Sequence, residues 1–236
     1  MDRCTPGEHL PQALPLDRTR QAAPQVFEQL REQILSLRLA PGAVLSRLAL
    51  QRAFGLSQTP IRDALGRLAE DGLVDVFPQH ATRVSRIHLG AAREAHALRL
   101  AIELEAVRVV AEAPAPAVLA GLCKVAEEQQ RSAAAGEYGP FIAADAVFHR
   151  VLCQAAGMAG LWEIVRRHSG HLDRLRRLHL PDPGKVEAIL RDHERLIVAL
   201  QQGDPAAAQA ALRAHLSGTL GMVEQIRARH PGYITE

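Results

Sequence analysis

From about residue 89 to 228, apolar residues recur at a helical period almost without interruption. Only short breaks interrupt the pattern: Ala113-Pro114, Gly136, Gly157, Pro181-Asp182-Pro183-Gly184 and Gly203-Asp204-Pro205. Helices are therefore predicted near 89–112, 115–135, 138–156, 159–179, 185–202 and 205–228. Asp204 before Pro205 supplies an N-cap and a first-turn proline, a strong helix start. Aromatic residues make up only 3% of the chain, so the core must be built from Leu, Ala, Val and Ile. Such a stretch buries its apolar stripes by packing helix on helix, as a bundle of six to seven helices.

The preceding residues have a different texture. Residues 1–23 carry Pro6, Gly7, Pro11 and Pro15 with little periodicity and read as a flexible N-terminal arm. A helix is predicted from near Pro24, with Val26, Leu30, Ile34 and Leu37 on one face, ending at Ala40-Pro41-Gly42. A short helix over 47–54 stops at Gly55. Ser57 is placed to cap the next helix, which carries Pro60 in its first turn and ends before Gly72. Leu73–Phe77 and Thr82–Ser85 then read as two strands around a turn at Pro78-Gln79-His80-Ala81. The expected fold is mainly α: a winged helix-turn-helix over 24–87 and an all-α bundle over 88–230.

The formal net charge of +2 is too small to argue for nucleic acid by itself. Its distribution says more. Asp17 to Gly90 holds ten Arg, no Lys and seven acidic residues, so that segment carries +3. A small basic excess is compatible with phosphate contacts. The three cysteines, Cys4, Cys123 and Cys153, are widely spaced and form no C-x-x-C pattern, which fits a reducing compartment rather than a disulfide framework. With no signal-peptide pattern and no membrane-length apolar run, a cytoplasmic protein with no membrane partner is expected.

Two helices joined at Gly55 and followed by a β-ribbon make the winged helix-turn-helix arrangement. The second helix opens Ser57-Gln58-Thr59-Pro60-Ile61-Arg62, placing polar side chains and free N–H groups where recognition helices meet base edges and phosphates. Gln58 suits adenine; Arg62 suits guanine or phosphate. Arg47 and Arg52 lie nearby, and Arg83 on the ribbon could enter a minor groove. The same spacing would also start an ordinary amphipathic helix. Leu39-Ala40-Pro41-Gly42, Phe54 through Leu65, Leu68 and Asp71-Gly72-Leu73-Val74 resemble the signature of the GntR family of bacterial regulators. That resemblance implies contacts of Thr59 and Arg62 with double-stranded operator DNA. The chain departs from the signature at Arg47-Leu48-Ala49, Gln58 and Ala81, where the family usually has a Glu-Arg-Glu-like run, Arg and Gly. An operator unlike the usual half-site is expected.

In the predicted bundle, Asp145 and His149 stand four residues apart, which puts both on one helix face. His193 and His215 fall in two later helices. One carboxylate and three imidazoles suit Zn, Ni, Mn or Fe with positions open to water or an anion. The chain has eleven histidines, so packing or surface roles are equally open on spacing alone. Phe141 to Leu152, Asp192-His193-Glu194 and the run through Gly203-Asp204 to His215-Leu216 resemble the FCD effector module. The resemblance implies a divalent transition metal on Asp145, His149, His193 and His215, and a small carboxylate effector completing its coordination. Arg99 matches the module's first-helix R-x-x-x-E pair with Glu103. It is a candidate to fork the carboxylate, although a surface salt bridge would use the same spacing. Arg174 and Arg176 are weaker candidates and read mostly as a solvated face. His168, His171 and His179 read as solvent-facing or as a pocket rim, Cys153 as a small buried residue and Trp162 as packing.

The expected protein is a homodimeric, ligand-responsive repressor on a palindromic operator. A metal-dependent enzyme or a pure metal-ion sensor could use the same four residues. No positioned nucleophile or general-base motif accompanies them, so an enzyme is not expected.

Overall fold

A computed structural model describes residues 12–77 and 82–236. These divide into two compact units, one running to Gly90 and including Arg227–Glu236, the other spanning Ala91–Ile226.

In the first unit α1 (Ala22–Leu35) precedes β1 (Val44–Leu45), α2 (Arg47–Phe54), α3 (Gln58–Glu70), β2 (Val74–Val76), β3 (Thr82–Val84) and β4 (Ile87–His88). Each helix buries one apolar stripe in a common core. Val26, Leu30 and Ile34 meet Leu50 and Ile61, Leu65 and Leu68. Gly55 takes a left-handed φ of 64°, which lets α2 stop and α3 leave at a new angle. The ribbon strands pair antiparallel as expected, with Val74 opposite Val84 and Val76 opposite Thr82. The sheet has a third strand that sequence pattern does not predict: β1 pairs with β3, giving the order β1-β3-β2. The turn expected at 78–81, and with it the departure at Ala81, lies outside the described residues.

The first helix ends at Leu35, short of the expected Ala40, and Leu37 takes a φ of 61° just beyond it. The segment read as a flexible arm is tied down over residues 12–20. Gln25, Gln29 and Gln33, one turn apart on α1, each hold a main-chain amide of the incoming segment. Their Oε1 atoms accept from the N–H of Asp17, Leu14 and Gln12 at 2.8, 2.8 and 3.0 Å. Their Nε2 atoms donate back to the carbonyls of the same three residues. At the other end, β5 (Ile234–Thr235) pairs in parallel with β4, so residues 227–236 group with the first unit rather than continuing a helical domain to 230.

The second unit is helical: α4 (Leu89–Glu112, nearly all within it), α5 (Pro116–Ala134), α6 (Tyr138–Ala155), α7 (Ala159–His168), α8 (Gly170–His179), α9 (Lys185–Gln201), α10 (Pro205–Ser217), a 3-10 turn over Leu220–Met222, and α11 (Val223–Arg229, within it as far as Ile226). Asp204 caps α10 as its sequence implies, accepting from the Ala207 amide at 2.9 Å. Val107, Leu122, Phe148, Leu152, Leu196, Leu200 and Leu212 form the main core. Two helices predicted as continuous are split. The one over 159–179 breaks at Ser169, whose buried hydroxyl donates to the Val165 carbonyl at 2.7 Å just before Gly170. The one over 205–228 breaks after Ser217, around Gly218 and Gly221. Among the described residues no helix is long and apolar enough to cross a membrane.

Candidate functional site

Asp145 and His149 share one face of α6, as their spacing requires, and α9 and α10 bring His193 and His215 against them. All four side chains are buried, and one ligand atom from each lies within 4.8 Å of the other three. Asp145 Oδ1 stands 3.8 Å from His149 Nε2, 3.6 Å from His193 Nε2 and 3.9 Å from His215 Nε2. His149 Nε2 and His215 Nε2 are 3.1 Å apart. Donors held about 2.1 Å from one ion are separated by roughly 3.0–3.4 Å, so this spacing is close to that of a coordination shell.

The outer atoms of the cluster explain why the lone pairs point inward. His149 Nδ1 lies 2.5 Å from Glu103 Oε2 and His193 Nδ1 lies 2.7 Å from Gln129 Oε1. Carboxylate and amide oxygens can only accept here, so each Nδ1 carries a proton, and it is Nε2 of each ring that turns to the cluster as the atom a metal would take. Arg176 donates to Asp145 Oδ2 at 2.7 Å, which leaves Oδ1 facing the imidazoles. Asp145 Oδ1 and His193 Nε2 are buried with no hydrogen-bond partner among the described residues, as is His215 Nδ1, which lies 4.0 Å from Asp192. Buried polar atoms are normally satisfied. Acceptors left unsatisfied and facing one another are what a cation would satisfy, so these residues fit a divalent metal.

Electrostatics favour the ligand-ready forms. Burial alone would raise the Asp145 carboxyl, but Arg176 and the three imidazoles outweigh it and hold it well below the usual carboxylate range. Burial likewise opposes ionisation of Glu103, but Arg99 and His149 bring it down to about 2. His193 falls to about 3, mainly through burial, and His215 well below its ordinary value for the same reason. In metal-free protein these two rings stay neutral while the unfolded chain takes up protons below about 6.5. Stability should therefore fall as pH drops below about 6.5, through His193 down to about 3 and in the same direction through His215. Urea midpoints of chelator-treated protein at neutral and mildly acidic pH measure this; equal midpoints would contradict it.

The arginines are placed differently from expectation. Arg99 is buried and ion-paired with Glu103, so the pair is an internal link behind His149 and not a surface salt bridge. Arg174 is fully buried, where a solvated face was expected. Its Nε donates to the Gly170 carbonyl and its guanidinium lies 3.0 Å from His171 Nδ1. Arg176, two residues on, is the α8 arginine that meets the cluster. His179 is also buried, 3.2 Å from the Thr219 hydroxyl. The polar composition of α8 misleads because Asp173, Arg174 and Arg176 find partners within the unit. Cys153 and Trp162 are buried together with Ala106 and Val165. Glu103, Gln129 and Arg176 complete the site. Of these, Glu103 carried a sequence signal in its spacing from Arg99 and Arg176 was a weaker effector candidate; Gln129 had none.

In the first unit, Ser57, Gln58, Thr59 and Arg62 are all exposed on the leading turn of α3. Ser57 occupies the N-cap position, yet its side chain makes no capping hydrogen bond, so the first N–H groups of α3 lack that acceptor. Arg52 is exposed and Arg47 half-buried on α2. Arg83 is exposed on β3, with a 3.3 Å hydrogen bond to the Gly42 carbonyl.

Residues 22–84 match the family model described as bacterial regulatory proteins, gntR family, and residues 94–218 match that of the FCD domain. The chain belongs to the GntR family. As a GntR regulator with an FCD domain, it is similar along most of its length to curated relatives. It is 35% identical to a regulator of the helix-turn-helix type in an unstable DNA locus of Streptomyces ambofaciens, over 87% of this chain and 86% of the relative. It is 30% identical to the transcriptional repressor RspR of Escherichia coli, over 94% of this chain and 97% of the relative. Its fold matches that of McbR/YncC from E. coli with a TM-score of 0.74 at 24% identity, covering 87% of this chain and 98% of that one. This GntR chain is thus a transcription regulator whose second unit contains an Asp/His cluster that could hold a metal.

Proposed function

We propose that this GntR regulator is a homodimeric repressor that reads a palindromic operator through α3 and responds to a small organic acid at a metal centre on Asp145, His149, His193 and His215. One observation carries the sensing half: unsatisfied, buried acceptor atoms of an aspartate and a histidine converge with two further imidazoles. Repression as the default fits relatives named as repressors, among them RspR of E. coli and NanR of Cronobacter sakazakii.

Each residue has a stated part. Glu103 and Gln129 hold the proton on the outer nitrogen of His149 and His193, so both rings offer Nε2 inward. Arg176 fixes which Asp145 oxygen faces the rings. A divalent ion held by these groups would supply a Lewis-acid position for a carboxylate. Arg99 and Arg174 remain candidates for pairing that carboxylate, although both are buried and bonded within the unit. Effector control requires that the acid bind one state of the protein better than another.

Operator binding measured in competition, on fragments flanking the protein's own gene, tests the whole reading. Chelator-treated protein, protein with metal alone, and protein with metal plus a panel of organic acids are compared. Release of the operator by metal plus one acid, and not by metal alone, is the expected result. A response to metal alone would make the chain an ion sensor, and turnover of an acid would make it an enzyme.

A further inference from the structure

The chain passes between its two units twice, at Gly90–Ala91 and at Ile226–Arg227. Both passages lie inside helices, the first in α4 and the second in α11. The two are also fastened to each other within the first unit. β4 runs into α4 with no residue between them, and it pairs in parallel with β5, Ile87 opposite Ile234 and His88 opposite Thr235. The Ile87 amide donates to the Tyr233 carbonyl at 2.8 Å. In a parallel pair of this register the Thr235 amide donates in turn to the Ile87 carbonyl. Among the described residues β4 has no other strand partner. Between α11 and β5 the chain turns through Gly232, at a φ of 85°, and Arg227 on α11 bonds Glu236 beyond β5 at 2.5 Å.

Each strand leads back to the metal-binding cluster. From β4, α4 carries Glu103, which meets His149 Nδ1. From β5, α11 and the 3-10 turn lead to α10 and His215. The break between α10 and α11 is held from the cluster side as well. Within it the Thr219 hydroxyl lies 3.2 Å from His179 Nδ1, and both residues are buried. His179 stands three residues beyond Arg176 on α8, and Arg176 donates to Asp145 Oδ2. Past the break, Val223 and Ile226 are buried on α11. Two members of the cluster therefore bear on the chain that leaves the second unit, His215 directly and Asp145 by way of α8.

We propose that residues 227–236 are a coupling strap: through the β4–β5 pair they pass the state of the metal-binding cluster to the DNA-reading unit, beside the direct route along α4. This rests on the metal-centred reading above. Coupling needs an element with two arrangements that both sites bias. A two-stranded ribbon with two residues in each strand is marginal by itself, so its pairing responds to small displacements of either attached helix. Drawing Asp145, His149 and His215 onto one centre acts on both of those helices at once, on α4 through Glu103 and on α11 through α10 and Thr219. Strands held in register stay paired, and the start of α4 is then secured by a second segment of chain.

Hydrogen exchange followed by mass spectrometry tests this on full-length protein, stripped of metal or loaded with Zn2+, with metal stoichiometry measured for every sample. Thr235→Pro removes the amide that bonds Ile87 and leaves every donor of the cluster in place, whereas Thr235→Val keeps that amide. In the wild type, Zn2+ should slow exchange in peptides of α1 and α3 by about five-fold or more, the lower end of ordinary coupling between sites. These helices keep their own hydrogen bonds in both variants, so a merely local loss of the strand pair does not reach them. Thr235→Pro should lose the Zn2+ effect in α1 and α3, keep it in α9 and α10, and bind Zn2+ at the wild-type stoichiometry. Thr235→Val should behave as the wild type. Zn2+-loaded wild type with no slowing in α1 and α3, slowing that survives Thr235→Pro, or a loss shared equally by Thr235→Val would each overturn the proposal. Failure of the wild type to retain Zn2+ would instead remove the metal-centred reading, and the proposal with it.

Discussion

His193→Ala should lower metal affinity at least about 10-fold and remove at least about a third of the stabilisation that saturating metal gives the second unit. The imidazole is one of four converging donors, so its loss breaks the shell directly. Even removal of an outer partner typically costs 10- to 100-fold, so loss of the ligand should be no milder. A ligand present at about 1,000 times its Kd stabilises the folded state by about 4 kcal/mol, and each ten-fold loss of affinity takes back about 1.4 kcal/mol of that. The variant also loses the Phe148–His193 stack, with ring centroids 4.0 Å apart, and leaves Gln129 Oε1 without its donor. Some loss of stability will therefore appear without metal, and the metal-dependent increment is the quantity to compare. Gln129→Leu provides a milder control that keeps His193 and frees its Nδ1, with an expected drop of about ten-fold. Metal titration followed by calorimetry, with elemental analysis for stoichiometry, checks both. Wild-type stoichiometry and affinity in His193→Ala would refute the assignment.

The four cluster residues were legible in the sequence for two unequal reasons. The Asp145–His149 pair is local, since a helix fixes the relation of residues four apart. His193 and His215 enter only through tertiary packing, and they were identified by resemblance, not by spacing. What surrounds them was less legible. Gln129 and Arg176 act from α5 and α8, and nothing in a one-dimensional pattern says which atom of a distant helix will meet which ring. The choice between Arg174 and Arg176 is no more local: two residues apart on a helix, they point about 200° from one another, and packing alone decides which faces Asp145.

Helix boundaries were read well where backbone chemistry marks them. Gly136, Gly157 and Gly203, all with positive φ, and the Asp204 cap end or begin helices as written. The split at Ser169 was missed because periodicity continues through it while a side chain competes for a backbone carbonyl. The glutamines at 25, 29 and 33 had helical spacing in plain view. Their use as clamps for an extended segment could not be seen, because glutamine on an exposed helix stripe ordinarily faces water.

Arg62→Ala should weaken operator binding by about 1–3 kcal/mol, or roughly 5- to 150-fold, with melting temperature and metal content unchanged. The side chain is 65% exposed on the first turns of α3, with Asp63 at 3.5 Å its only ionic neighbour among the described residues, so truncation there leaves no cavity and no buried partner unsatisfied. Its neighbours Ser57, Gln58 and Thr59 are exposed on the same leading turn, which concentrates the polar groups of the unit where a groove would receive them. Salt dependence then separates the two roles open to a guanidinium. If Arg62 grips a phosphate, the variant should lose affinity evenly across operator sequences, with the slope of log K against log salt reduced by about one. If it forks a guanine, the loss should concentrate on one base position, and Arg62→Lys should fail to restore it because an ammonium cannot reproduce the bidentate geometry. Unchanged affinity at every salt concentration would mean that α3 does not present Arg62 to DNA, and the recognition surface would have to be sought elsewhere on the first unit.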